Sequence, residues 1–243
     1  MAVCTLSWWR DGTSYGLFFN RDESRLRPEA EIPSCFEMAG VSYLSPVDPE
    51  GGGTWIWVNR NGVIGCLLNN YLVCNDGPAE PVSRGLLLKS LVTQKDSESL
   101  CQSVSMVELR NYKGFSIFAM DPNHHRLATW DGANLSLLPE EEVRNPLSSS
   151  GYLPDQIIAH RKKLYDSRFD SFPFQDPKAL FSYHTFHDPA LPAHSVLMSR
   201  PDARTVSISQ VSVAARTIRF SYGTVSEQCR LRVLTNCSLS RDN

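Results

Sequence analysis

The 243-residue sequence predicts an α+β protein assembled from layers of mainly antiparallel sheet and helix. Three observations carry that expectation. Both ends of the chain alternate apolar and polar residues with the period of a strand. The middle places Leu, Val and Met at helical spacing, and tight-turn dipeptides separate the strand-like runs.

At the start, Cys4, Leu6 and Trp8 fall on one side of an alternating run and Thr5, Ser7 and Trp9 on the other, which predicts a strand over 4–8. Residues 10–14 supply a turn, and 15–20 a second, strongly apolar strand that ends in four polar residues. Residues 54–58 and 63–68 flank Asn59-Arg60-Asn61-Gly62, whose Asn-Gly pair tolerates the left-handed backbone of a tight hairpin turn. Gly51, Gly52 and Gly53 precede that hairpin and permit a sharp bend or a close approach to a neighbour. Helices are predicted over 83–92 and 97–107, each opened by a serine able to cap it. Strands return at 115–121, 126–130 and 135–138, the last two bracketing Asp131-Gly132. Residues 154–169 read as a basic amphipathic helix with Ile157, Ile158, Arg161 and Leu164 near helical spacing. Asp176-Pro177 is an N-cap followed by proline at the first helical position, so a short helix begins there. Residues 195–199, 205–211 and 217–222 close the chain as strands. No repeat, low-complexity tract or long linker interrupts this order, so 1–243 is expected to form one domain.

Composition narrows the function. Lys and Arg number 24 against 26 Asp and Glu, a balance that gives neither nucleic acid nor an anionic membrane a reason to bind. Hydrophobic residues at 42% exclude a disordered chain, and no apolar run approaches the roughly 20 residues of a membrane span. The first nine residues lack the charged start and apolar stretch of a signal peptide, so the cytoplasm is the expected location. Seven cysteines (4, 35, 66, 74, 101, 229 and 237) are odd in number, irregularly spaced and without a CxxC pair, against both a disulfide framework and a cysteine zinc site. Cys66 and Cys101 sit in apolar contexts and read as small core residues. With no P-loop, GxGxxG or lysine-centred motif, no nucleotide or organic cofactor is expected. Oligomeric state is not legible.

Four places could carry chemistry. Cys4 reads by itself as one small residue of a first strand. As a nucleophile it would need a base, because the thiolate attacks and a free thiol has a pKa of about 8.5. At a true N-terminus its own α-amine, titrating near 7.7–8.0, could be that base. Asn20-Arg21-Asp22-Glu23, followed by Arg25 and Arg27, gathers donors, cations and carboxylates, as a functional strand end or a surface turn would. Asn69 and Asn70 could donate to an oxyanion, or simply turn the chain. His184, His187, Asp188 and His194 offer metal-ligand types, but Pro189 and Pro192 interrupt them and no HExxH is present, so no metal is expected.

Taken in order, Cys4-Thr5-Leu6-Ser7-Trp8, Phe19-Asn20-Arg21-Asp22-Glu23, Gly52-Gly53-Thr54-Trp55-Ile56 and Leu68-Asn69-Asn70-Tyr71 resemble the NRDE family, that of the transport and Golgi organisation 2 proteins. Ser195-Val196-Leu197-Met198 and Asp202-Ala203-Arg204-Thr205-Val206-Ser207 are also similar to its members. The resemblance implies an N-terminal-nucleophile (Ntn) hydrolase fold, a four-layer αββα sandwich, and the cleavage of linear amide bonds seen in bile-salt hydrolases and penicillin V acylases. It implies Cys4 as nucleophile with its freed α-amine as base, Asp22 as the group that holds that amine, and Asn70 or Asn69 as an oxyanion donor. Arg21 and Arg204 would organise the site or meet a substrate anion, and Asn20, Asn69 and Ser149 would contact substrate. The implied partner is a small-molecule amide.

Two departures stand out. The family cysteine follows the initiator methionine, whereas Ala2 and Val3 intervene here, so the mechanism requires that residues 1–3 be removed or that translation begin at Val3. Related hydrolases carry an asparagine where this chain has Leu147-Ser148-Ser149-Ser150. These departures favour an alternative, a non-catalytic family member that binds a small hydrophobic ligand or a trafficking partner.

Overall fold

A computed structural model describes residues 3–73, 77–169 and 176–241, with all their side chains except those of Val3 and Val233. Met1, Ala2 and Cys74 lie outside the described residues. In chain order the first strands are β1 (Val3–Arg10), β2 (Tyr15–Ser24), β3 (Glu31–Met38), β4 (Val41–Val47), β5 (Ile56–Asn59) and β6 (Ile64–Asn69). Helices α1 (Arg84–Ser90) and α2 (Ser97–Ser105) come next, then β7 (Phe115–Met120), β8 (His125–Trp130), β9 (Leu135–Leu138) and β10 (Leu147–Ser150). Helices α3 (Pro154–Phe169) and α4 (Pro177–His184) precede β11 (Ala203–Val213), β12 (Thr217–Val225) and β13 (Leu231–Ser240). The strands form two sheets, one ordered β10-β1-β2-β11-β12-β13 and the other β3-β4-β5-β6-β7-β8-β9.

The chain divides into two compact units: Met1–Arg27, Arg144–Ala214 and Ser221–Asn236 in the first, and Pro28–Val143, Ala215–Phe220 and Cys237–Asn243 in the second. In the first, Trp9, Phe18 and Ile208 of the sheet bury against Tyr165 of α3 and Leu180 and Tyr183 of α4. In the second, Trp57, Phe115 and Ile117 bury against Leu88 of α1 and Leu100 and Val104 of α2. Each unit thus pairs one sheet with one layer of helices, because each amphipathic element has a single apolar face to hide.

Local chemistry explains most boundaries. Ser83 caps α1, its hydroxyl accepting from Leu86 N–H at 3.3 Å. At α2 the cap is Asp96, not the serine anticipated. Asp96 accepts from Ser99 N–H at 2.6 Å, while the Ser97 N–H turns to the buried Asp121 carboxylate at 2.7 Å. Gly53 fulfils its expected close approach, since a Cβ there would lie 2.5 Å from the Gly85 carbonyl carbon. The β3–β4 hairpin turns on Ala39 and Gly40, both with positive φ, and its alanine gave no turn signal. The strand expected over 195–199 is irregular: Met198 N–H donates to the Thr205 hydroxyl at 2.8 Å and Leu197 N–H to Phe186 O at 2.9 Å, so this segment hydrogen-bonds side chains and loop in place of a ladder. The second strand, expected to stop at residue 20, runs on to Ser24 because β1 pairs with it through Arg21 and β11 through Ser24.

Candidate active site

The extension of β2 decides the geometry of the site. Antiparallel partners share a face, and alternate residues along a strand return to it. Cys4 stands opposite Arg21 and, on its other flank, opposite Ser149. Cys4, Arg21 and Glu23 therefore project from one face of the sheet, and Thr5, Asn20 and Asp22 from the other.

On the first face Cys4 is buried, and its backbone N–H donates to the Ser149 hydroxyl at 3.4 Å. Burial, reinforced by the Asp22 carboxylate, pushes the Cys4 thiol up to about 12, while the Asp22 backbone N–H and the Arg21 guanidinium work against that rise. At neutral pH this sulfur is a protonated thiol that needs a base at hand to attack. Arg21 Nη2 donates to Glu23 at 3.1 Å. Arg204 of β11 faces Glu23 across the ladder and joins Glu227 at 2.9 Å.

On the second face Asp22 is fully buried and doubly bound. Thr205 Oγ1 donates to one oxygen at 2.5 Å, and Arg161 Nη2 lies 3.4 Å from the other. Arg161 comes from α3 and is itself fully buried, donating to the Thr5 hydroxyl at 2.5 Å and to Ser195 O at 2.6 Å. Burial raises the Asp22 carboxyl to about 7, with Arg161 and then Thr205 holding it down. Sequence reasoning placed Arg161 on the apolar side of the helix without giving it a role; a cation among the inward positions of an amphipathic helix was the available signal.

The same face holds a second buried system. Asn20 Nδ2 donates to His184 O and Val196 O, each at 2.9 Å, so its Oδ1 accepts from His184 Nδ1–H at 2.7 Å. His184 Nε2 must then accept from the Ser7 hydroxyl at 2.7 Å. The connectivity is that of a nucleophile, base and orienting amide, but all three are sealed from solvent. Burial drives the His184 pKa down to about 3, so the ring is neutral and serves to dock α4 on the sheet. Asn20 is thus occupied in holding this structure.

Asn69 and Asn70 belong to the second unit. Asn69 Nδ2 donates to the Tyr71 hydroxyl at 3.1 Å. Asn70 Nδ2 donates to Trp130 O at 3.2 Å while its Oδ1 accepts from Leu72 N–H at 3.0 Å. Their oxyanion role rests on the resemblance alone. His184 has both ring nitrogens engaged and His187 Nδ1 donates to Leu197 O at 2.9 Å. Among the described residues no group of three or more His, Cys, Asp or Glu could hold a metal ion. No helix among them is long and apolar enough to cross a membrane.

Residues 1–167 match the model of the family described as Transport and Golgi organisation 2. No protein of curated function matches the sequence. Similar solved structures include a cysteine-to-alanine mutant of the conjugated bile acid hydrolase from Clostridium perfringens, 12% identical, covering 99% of this chain and 92% of that one with a TM-score of 0.53. A Caenorhabditis elegans ortholog of N-acylethanolamine-hydrolyzing acid amidase is 11% identical over 86% of this chain and 91% of that one, with a TM-score of 0.56. An arginine-to-leucine variant of the same Clostridium hydrolase is 10% identical over 99% and 97%, with a TM-score of 0.51. At these identities the likeness shows the fold, the Ntn-hydrolase type expected from the sequence.

Proposed function

The chain belongs to the Transport and Golgi organisation 2 family, and on that premise we propose that it is an N-terminal-nucleophile amidohydrolase acting on a linear amide. The observation that carries the reading is the register at β1. Cys4 pairs with Arg21, so Asp22 stands beside the place of the residue before Cys4. Removal of residues 1–3 would leave an α-amine, neutral in the form that acts as base, next to a carboxylate that Arg161 and Thr205 already hold in place. The nitrogen would then take the Sγ proton as sulfur attacks the amide carbonyl, forming a C–S bond and a tetrahedral oxyanion. Collapse would break the C–N bond, the leaving nitrogen receiving that proton, and water would hydrolyse the thioester to the acid and free thiol. Ser149, one strand over, whose hydroxyl accepts from Cys4 N–H at 3.4 Å, would contact the reacting group. Of the similar enzymes named above, one is named an acid amidase and the other a hydrolase of conjugated bile acid, which supports a hydrolytic reaction class.

The test is direct. Untagged protein from the native gene is examined by intact mass and treated with amide- and lactam-based acylating probes. Acylation at Cys4 in a chain beginning there supports the proposal; a chain beginning at Cys4 that none of the probes acylates refutes it.

A second reading has its own support. With Val3 attached, the Cys4 nitrogen is an amide without a basic lone pair, and the thiol stays protonated. A protein that retains residues 1–3 in its mature form would be a binder of a small hydrophobic ligand or a trafficking partner. Saturable binding in titrations with lipids and acyl conjugates is the expected result in that case, and its absence from every class would refute it.

A further inference from the structure

On the face that carries Cys4, two arginines close on one carboxylate. Arg204 Nε meets Glu227 Oε1 at 2.9 Å, and Arg25 Nη1 meets Glu227 Oε2. The cations are built into the fold. Arg204 Nη1 donates to Val225 O at 2.5 Å and to Thr205 O at 3.2 Å. Arg25 donates from Nε to Arg200 O at 2.8 Å and from Nη2 to Ser199 Oγ at 3.0 Å. The occupant is held differently: the Glu227 side chain is 55% exposed, against 12% for Arg204 and 27% for Arg25.

Glu227 is not needed to shape its turn. Ser226 N–H donates to Arg230 O at 2.8 Å and Cys229 N–H to Ser226 O at 3.0 Å, while the Ser226 hydroxyl accepts from Gln228 N–H and Arg230 N–H. These four bonds close the connection from β12 to β13 without the glutamate. An ion pair this exposed contributes roughly 0–1 kcal/mol. Arg25 Nη1 donates to one oxygen of this carboxylate and Arg204 Nε, without an aligned hydrogen bond, approaches the other to 2.9 Å, so the anion sits between two fixed cations. Glu23, across the ladder from Arg204, is occupied with Arg21 and Arg27. Counting two strand spacings and two residue rises, Arg204 is about 12 Å from Cys4 along the same face, within the span of a small extended molecule.

We propose that Arg25 and Arg204 form a carboxylate-binding subsite that Glu227 fills in the absence of ligand. If the proposed Cys4 chemistry holds, the amide it cleaves carries a carboxylate several bonds from the scissile carbonyl, and Glu227 swings into solvent when that substrate binds.

Binding, read without turnover, tests this. Hexanoate and the uncharged hexanamide are titrated by calorimetry into the full chain, its Glu227→Gln and Glu227→Ala variants, and the Glu227→Gln/Arg25→Gln double variant. Both glutamate variants are expected to bind hexanoate roughly tenfold tighter than the parent, hexanamide affinity to stay level, and the double variant to lose the gain. Hexanoate affinity that does not rise in either glutamate variant, or a gain that survives Arg25→Gln, overturns the subsite. An inert Cys4 in the acylation test would leave this result standing, and an absent subsite would leave that test untouched.

Discussion

Replacing Arg161 by methionine, which is similar in length and uncharged, isolates what the buried cation does. The side chain loses its bonds to Thr5 and Ser195 and its charge beside Asp22. With the carboxyl protonated, only hydrogen bonds are lost, and leaving buried acceptors unpaired costs about 1–3 kcal/mol. With the carboxyl ionised, an uncompensated charge is left as well. The unfolded carboxyl titrates near 3.9 and the folded one near 7, so the folded state holds its proton more tightly. In the parent, stability from this group is therefore greatest at low pH and is lost as pH rises toward 7, above which it levels off. Without Arg161 the folded pKa rises further, so in the variant the loss continues beyond pH 7. The difference grows by about 1.4 kcal/mol per pH unit, or about 2 kcal/mol at pH 8.5. The total there, about 3–5 kcal/mol, agrees with the cost of breaking a buried ion pair from one side, and corresponds to a fall in Tm on the order of 10 °C. Urea unfolding at pH 5.5 and pH 8.5 measures it. An equal loss at both values would refute the assignment of Arg161 as the cation that sustains the ionised Asp22.

Three further outcomes follow from the same structure. His184→Leu should cost less as pH falls: the folded ring titrates near 3 and the unfolded one near 6.5, so the parent loses stability on acidification through that window, by about 3 kcal/mol at pH 4.5, and the variant does not. A parent-to-variant difference in unfolding free energy that is the same at pH 7 and pH 4.5 would contradict the neutral buried ring. Gly16→Ala would place a Cβ 2.0 Å from Val211 O and 2.5 Å from the Trp9 ring, so denaturant unfolding should register a loss of at least about 2 kcal/mol; Gly12→Ala, with open space and only its positive φ against it, should lose about 1 kcal/mol. In a chain retaining residues 1–3, the exposed Cys35 should react with iodoacetamide at pH 8 well before the buried Cys4, whose thiol is pushed up to about 12. Labelling of Cys4 first, read by peptide mapping, would argue that its sulfur is not held as a protonated thiol.

Much of the fold was legible because it rests on signals a few residues apart. The Asn61-Gly62 turn, the Asp176-Pro177 helix start and the limits of α3 follow from backbone preferences that sequence displays directly. The β3–β4 hairpin, β10 and β13 were not resolved as strands. β10 is four residues with serine at three positions, and it is a strand because β1 needs a partner. The irregular segment at 195–199 looked like a strand because Val196, Leu197 and Met198 are apolar. Its backbone, however, hydrogen-bonds side chains, that of Asn20 far away in sequence and that of Thr205 seven residues on. The candidate site was legible only through resemblance. Family resemblance pointed to Cys4, Asp22, Asn70, Arg21 and Arg204 as candidates, with Asn20, Asn69 and Ser149 beside substrate, but the Arg161–Asp22 pair spans 139 residues and only the fold brings it together.

The Asn20-Arg21-Asp22-Glu23 tetrapeptide then acquires a physical meaning that no surface turn would give it. Four consecutive polar residues inside a strand must go to opposite faces by twos, and each pair must find its own partners. Asn20 and Asp22 meet His184, Val196, Arg161 and Thr205, fixing the helical layer and the irregular segment to the sheet. Arg21 and Glu23 share the face of Cys4 with Arg204. The motif is thus two interleaved pairs, one bonded to the helical layer and the irregular segment and one on the face of Cys4, and Asn20 and Arg21 should separate by experiment. Asn20→Leu should lower Tm by several degrees, because it strands buried donors and acceptors on His184 and the 196 carbonyl. Arg21→Gln should leave Tm within a few degrees of the parent and change the reactivity of the Cys4 sulfur, whose pKa the guanidinium lowers. If both variants moved Tm alike and neither altered thiol reactivity, the separation of Asn20 from Arg21 by strand face would be wrong.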